Sequence, residues 1–274
     1  MFIVIIIIFI AIYIIIITIF DELGINFYSV LFAYLLIFYS IYMIMNVSDN
    51  KPLAVVLLSG GMDSALCAGI AKADGFDIAA LHLNYGQLTE KRELRAFNDL
   101  CDHYKVKARI SIDTTFLSDI GGSSLTDNTI PIPSASFVKD TIPNTYVPFR
   151  NANILCLAVS WAEVIGAEAI FIGAVEEDSS GYPDCRISFF EAFQNVINLG
   201  TKDTTRIIIK TPIINYSKEM IVSEALRLNV PLELTWSCYQ GTDYACGVCE
   251  SCLLRLKGFA GAGAIDPIPY SNLI

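Results

Sequence analysis

Six consecutive residues, Ser59-Gly60-Gly61-Met62-Asp63-Ser64, carry the first chemistry legible in the chain. They follow a short apolar run, Pro52–Leu58, and lead into an Ala-rich stretch from Ala65 to Ala73. That order reads as strand, tight loop and helix start. Two glycines let backbone approach a phosphate closely. The amides that follow, with the helix N-terminus, supply hydrogen-bond donors and positive dipole. Ser59 and Ser64 add hydroxyls. Asp63 would repel a phosphate by itself; it fits if a magnesium ion lies between them, or if it caps the helix. The loop lacks the spaced Gly-Lys-Ser/Thr of a Walker sequence.

The second constellation is Cys238, Cys246, Cys249 and Cys252, spaced C-x7-C-x2-C-x2-C. Two-residue gaps let neighbouring thiolates meet one tetrahedral ion, and four thiolates close its shell, as a structural zinc site requires. Gly241 and Gly247 supply turns. The remaining cysteines, Cys67, Cys101, Cys156 and Cys185, are scattered singly. Beside a phosphate loop, this usage points to a reducing compartment rather than to disulfides. A ferredoxin cluster uses a different spacing followed by Cys-Pro. The expectation is one structural zinc per subunit, with no open coordination position.

Three further segments have ligand-site character: Tyr85-Gly86-Gln87, the run 143–151 (PNTYVPFRN) and the run 180–186 (SGYPDCR). Each follows a strand or precedes a helix, on the side where parallel sheets bind ligands. Arg150, near a helix start, suits a phosphate or carboxylate. Asp184 could accept from a guanine-like edge, taking both N1–H and the 2-amino group. Lys218 opens a helix after Thr211-Pro212 and is a candidate second phosphate contact. His82 and His103 read as structural or surface residues.

The elements that must position these groups alternate. Strands are expected at 52–58, 77–83, 106–112, 168–173 and 206–209. Helices are expected at 65–73, 89–104, 152–165, 188–199 and 218–228, and a long functional loop at 116–142. This alternation predicts an α/β fold with a parallel, Rossmann-like sheet. Its expected divisions are a hydrophobic extension (1–45), a nucleotide-handling α/β domain (46–230) and a small cysteine knuckle with helix and tail (231–274). Of the 274 residues, 54% are apolar and 17% charged, enough for a packed core. All 18 basic residues, and all but three of the 28 acidic ones, lie from residue 51 onward. A body this acidic is a poor candidate for a nucleic-acid groove.

Residues 1–20 include twelve isoleucines, and 25–45 form a second uncharged run. Each is long enough to cross a bilayer as a helix. Such composition also matches translated AT-rich noncoding sequence, with Met43 or Met45 as the working start. Lys51 is the first basic residue, which on the anchored reading leaves the body facing the cytosol. On the other reading the protein is cytoplasmic.

SGGMDS resembles the pyrophosphatase loop of ATP-using enzymes that place AMP on a substrate oxygen. Taken in order with YGQ, PNTYVPFRN, SGYPDCR and the four-cysteine knuckle, it resembles the 7-cyano-7-deazaguanine synthase (QueC) family over about residues 52–260. The resemblance implies an adenine-nucleotide hydrolase-like fold and ATP as co-substrate with magnesium. The implied partners are 7-carboxy-7-deazaguanine and ammonia, with no nucleic acid, and a homodimer stays open. The reaction makes a nitrile through adenylated carboxylate and amide intermediates. It places the nucleotide on Leu58, Ser59, Gly60, Gly61, Met62, Asp63, Ser64, Ala65, Leu66, Cys67, Ala68 and Lys218. Asp63, Ser64, Arg150 and Asp184 are the implied catalytic set. Family members usually carry a basic residue after YGQ; here Leu88 stands there, with Lys91 and Arg92 nearby. The hydrophobic head is foreign to the family. A tRNA-thiolating relative is the alternative, which would need a basic RNA-binding surface.

Overall fold

The computed structural model describes residues 51–127, 129–132, 142–176 and 181–271, together with Phe32, Leu35, Leu36 and Phe38. The chain divides into two compact units, Met1–Asn50 and Lys51–Ile274. The four described residues of the first unit are helical. The two expected apolar crossings otherwise lie outside the described residues. Among the described residues, no helix is long and apolar enough to cross a membrane.

The second unit is built on five parallel strands: β1 (Leu53–Leu57), β2 (Asp77–Asn84), β3 (Ala108–Asp113), β4 (Ala169–Phe171) and β5 (Ile208–Lys210), in the order β3-β2-β1-β4-β5. Among the described residues, seven α-helices accompany them: α1 (Met62–Ala73), α2 (Glu90–Tyr104), α3 (Phe116–Ile120), α4 (Arg150–Ile165), α5 (Ile187–Gly200), α6 (Lys218–Arg227) and α7 (Glu250–Gly261). Buried on both faces, the central strands are continuous apolar runs, as parallel sheets require. Their alternation still sorts the two cores. Ala54, Val56, Ile78, Ala80 and Phe171 join the layer holding α1 and α6, whereas Val55, Leu57, Ala79, Leu81 and Ile170 face α4 and α5.

Order reverses at β1: the chain moves outward to β2 and β3, then returns to β4 on the other side. The crevice beyond the C-terminal ends of β1 and β4 is where such sheets take ligands. The phosphate loop leaves β1 there. Gly173, just past β4, lies against the start of α1; a Cβ on it would stand 3.0 Å from Asp63 C and Ser64 N.

Element boundaries differ from the sequence expectation mainly at the sheet edges. β4 offers three residues, so β5 pairs only over Ile208–Lys210. β3 starts at Ala108 because Lys105, at φ 50°, ends α2 in the left-handed region. Two short 3-10 turns, Pro183–Cys185 and Leu232–Leu234, were not expected.

Candidate functional site

Helix α1 starts without a side-chain cap. Gly61 occupies the N-cap position and no side chain accepts from the first turn. The amides that open the helix are thereby left for a ligand, and the helix dipole favours an anion there. Ser59 is held against the loop: its Oγ accepts from Gly61 N at 3.3 Å and sits 3.1 Å from Ser64 Oγ. Ser64 Oγ donates to Gly61 O at 3.0 Å. Gly60 has φ 93°, and a Cβ there would stand 2.8 Å from Glu93 O. Glycine is required on both counts.

Asp63 does not cap the helix. Its Oδ2 accepts from Lys218 Nζ at 2.6 Å, across 155 residues of sequence. Its Oδ1 is buried without a donor. An unused carboxylate oxygen beside a phosphate loop fits a magnesium ion carrying phosphate. Lys218 opens α6, where Ser217 caps the helix by accepting from Met220 N at 3.3 Å. A cation at this first turn opposes the helix dipole; the ion pair to Asp63 offsets that.

The loop faces a cleft of about 320 Å³. Leu58, Ser59, Gly61, Met62, Asp63, Ser64, Arg150 and Lys218 line it. Ala65, Leu66, Cys67 and Ala68 lie behind, fully buried in the core, where they hold α1 on the sheet. Gly60 contributes through its carbonyl, which accepts from Trp236 N at 2.8 Å. Burial also drives the Cys67 thiol far above its ordinary range, so it stays a neutral core residue.

Tyr85 and Gln87 both line the cleft. Gln87 Oε1 accepts from Tyr85 N at 2.9 Å, and its Nε2 donates to Glu93 at 3.2 Å. Arg150 Nη1 donates to the Tyr85 hydroxyl at 3.3 Å, and the guanidinium lies 5.3 Å from that ring. Leu88 lines the cleft, while Arg92, one helical turn on, stacks over Trp236 at 4.2 Å. His82 is buried, its two ring nitrogens engaged by Leu58 O at 3.1 Å and Asn84 Oδ1 at 3.0 Å. It ties β2 to the root of the phosphate loop.

Asp184 has a different place from the one its sequence setting suggested. It is buried and does not line the cleft. Its Oδ2 accepts from Asn151 N at 2.9 Å, and its backbone carbonyl accepts from Asn151 Nδ2 at 3.0 Å. It thus satisfies the uncapped start of α4, the helix that carries Arg150. Burial raises its carboxyl above the usual range.

The four Sγ atoms of Cys238, Cys246, Cys249 and Cys252 lie within 4.8 Å of one another. Backbone N–H groups of Gln240, Gly241 and Cys246 donate to Cys238 Sγ at 3.4, 3.1 and 3.3 Å, and Cys249 N donates to Cys246 Sγ at 3.3 Å. Such outer contacts orient thiolate ligands and spread their charge. The neighbouring thiols of Cys249 and Cys252 hold Cys238 far below the thiol range, while Cys249 is pushed up to about 12 by Cys238. Four sulfurs this close favour full ionisation only with a cation among them. The group could hold a metal ion.

The cysteine turn also shapes the cleft. Trp236, Ser237, Tyr239, Glu250, Ser251 and Leu254 also line it, with Trp236 directly against the phosphate loop. Nothing in the sequence singled these out except their closeness to the cysteines. Helix α7 is fastened by buried Arg255, which donates to Asp266 at 2.7 and 2.9 Å, to Thr235 Oγ1 at 2.7 Å and to Leu232 O at 3.1 Å. Gly258 allows α7 to rest on Lys218; a Cβ there would stand 2.7 Å from Lys218 O. Helix α7 and the phosphate side are therefore in direct contact.

The family described as "Queuosine biosynthesis protein QueC" matches residues 53–263. This chain belongs to the QueC family. It is 58% identical over 217 residues to the 7-cyano-7-deazaguanine synthase of Chloroherpeton thalassium, covering 79% of this chain and 96% of that relative. The enzyme of the same name from Nautilia profundicola is 57% identical over 219 residues, covering 80% and 98%. Among solved structures, a 4-thiouridine synthetase–RNA complex with bound ATP is similar at a TM-score of 0.43 and 17% identity, over 80% of this chain and 47% of that one. That is a likeness of general shape only. The QueC match spans the phosphate loop, Arg150, Lys218 and all four cysteines.

Proposed function

We propose that this chain converts 7-carboxy-7-deazaguanine and ammonia to the nitrile 7-cyano-7-deazaguanine at the expense of ATP, within queuosine biosynthesis. The observation that carries the reading is the single cleft joining an uncapped phosphate loop and its Lys218–Asp63 pair to a wall of aromatic groups, in a member of this family. ATP is used twice. The substrate carboxylate attacks the α-phosphorus and pyrophosphate leaves, giving an acyl adenylate. Ammonia attacks the acyl carbon, loses a proton, and AMP departs, leaving the amide. The amide oxygen then attacks the α-phosphorus of a second ATP, and its pyrophosphate leaves. Loss of the remaining N–H protons and of AMP yields the nitrile.

The α1 amides, Ser59 and Ser64 would hold the charge that grows on the departing phosphates. Lys218 would neutralise the phosphates from the opposite side, positioned by Asp63. A bound magnesium ion would supply charge neutralisation at the phosphates, with Asp63 as its protein ligand. Arg150, held by Tyr85, is placed for the substrate carboxylate or a phosphate. The four cysteines would hold zinc in a closed, structural shell. Incubating the full-length protein with ATP, ammonia and 7-carboxy-7-deazaguanine should yield the nitrile by mass spectrometry. No nitrile, with metal-replete folded protein, would reject the reading.

A further inference from the structure

The cleft holds three carboxylates among the described residues, and two are already committed. Asp63 is paired with Lys218. Glu93 accepts from Thr89 Oγ1 at 2.7 Å and from Gln87 Nε2 at 3.2 Å. The third, Glu250, is half-buried in the lining and makes no hydrogen bond or ion pair with any described residue. Arg255, also in the lining, is engaged by Asp266, Thr235 and Leu232, and no ion pair joins Glu250 to Arg150. The Glu250 oxygens keep contact with solvent, since Asp63 Oδ1 and Arg92 Nη1 are the buried unpartnered side-chain atoms among the described residues, so donors on a ligand would replace water there.

We infer that Glu250 is the specificity-determining residue that accepts from the N1–H and 2-amino group of the deazaguanine. This deepens the proposed function and rests on it. The edge in question presents two adjacent donors, and a carboxylate presents two acceptors at matching spacing. Asp184, the other acidic candidate for that role, has one carboxylate oxygen on Asn151 N and is absent from the residues lining the cleft. Glu250 is the first residue of α7, between Cys249 and Cys252, so both ends of this helical turn belong to the sulfur cluster. A rigid turn of that kind fixes the carboxylate more closely than a free loop would. Tyr85, Tyr182 and Tyr239 line the same cleft and offer apolar surface to a flat base. The cysteine segment thereby acquires a second task, holding the recognition group in the same cleft as the phosphate loop.

The test compares 7-carboxy-7-deazaguanine with its analogue lacking the 2-amino group, on the parent and on Glu250→Gln. The parent should prefer the natural base, by kcat/KM, by about 10- to 150-fold, the range of a hydrogen bond to a charged group. In Glu250→Gln, KM for the natural base should rise by a similar factor and the preference should shrink toward unity. KM for ATP should stay within about twofold, since the phosphate loop is untouched. A variant that keeps the parent's preference would overturn the proposal, even if its Tm falls. If the variant does not fold, the parent alone decides: equal use of both bases would overturn it equally. A parent that forms no nitrile at all would instead remove the proposed function.

Discussion

The phosphate loop and the cysteine turn are built in opposite ways. In the loop, the α1 amides have no cap and one Asp63 oxygen has no donor. In the turn, Cys238 already accepts from three backbone amides, and the buried Arg255 behind it is saturated. A region that binds and releases charged ligands keeps groups unspent. The sulfur cluster and Arg255 spend theirs on holding shape, with Glu250 beside them left for a ligand. The two meet at Lys218, which reaches Asp63 with its amine while Gly258 of α7 packs on its carbonyl. Damage to the closed region should therefore reach the open one, and the reverse should not hold.

The harshest way to break this contrast is Cys249→Ser. Removing one of four thiolates should lower bound metal and stability together, by about 4–5 kcal/mol or more, because the ion's binding energy is folding energy. Activity should go with it. Metal analysis and denaturant unfolding of parent and variant check this; full stability without metal would dissolve the distinction.

Asp63→Asn probes the open side. Turnover should fall on the order of 10²–10³-fold, as when one preorganised charge contact is removed. Metal content should be unchanged, and the stability loss should be smaller than in Cys249→Ser. Steady-state kinetics beside metal analysis separates the two variants. A variant that sheds its metal would show the regions to be one unit.

The smallest expected effect sharpens the border of the loop. Burial, against the pull of Leu58 O, holds His82 below its ordinary 6.5. The unfolded chain takes up that proton near 6.5, whereas the folded chain resists to lower pH. Stability from this residue is thus complete above about 6.5 and is lost as pH falls toward the folded value, by at most about 1.4 kcal/mol per unit. The slope of Tm between pH 7.5 and 5.5 should flatten in His82→Gln. An unchanged slope would mean that His82 does not report on the root of the loop.

Local patterns in the sequence determined much of this protein. Apolar runs alternating with helical stretches settled a parallel α/β sheet. SGGMDS marked a strand–loop–helix turn, and three cysteine spacings marked the sulfur cluster, because each motif's groups lie close together along the chain. Tertiary structure alone decided which distant side chains meet. The partner of Asp63 is Lys218, 155 residues away, because β1 is central and the segment after β5 returns to its C-terminal end. Asp184 reads like a ligand group, yet packing turns it to the bare start of α4. Trp236, Tyr239 and Glu250 carry no motif of their own and still line the cleft. Where a side chain points at a turn depends on what packs behind it, and that is set by contacts between elements rather than by neighbours in sequence.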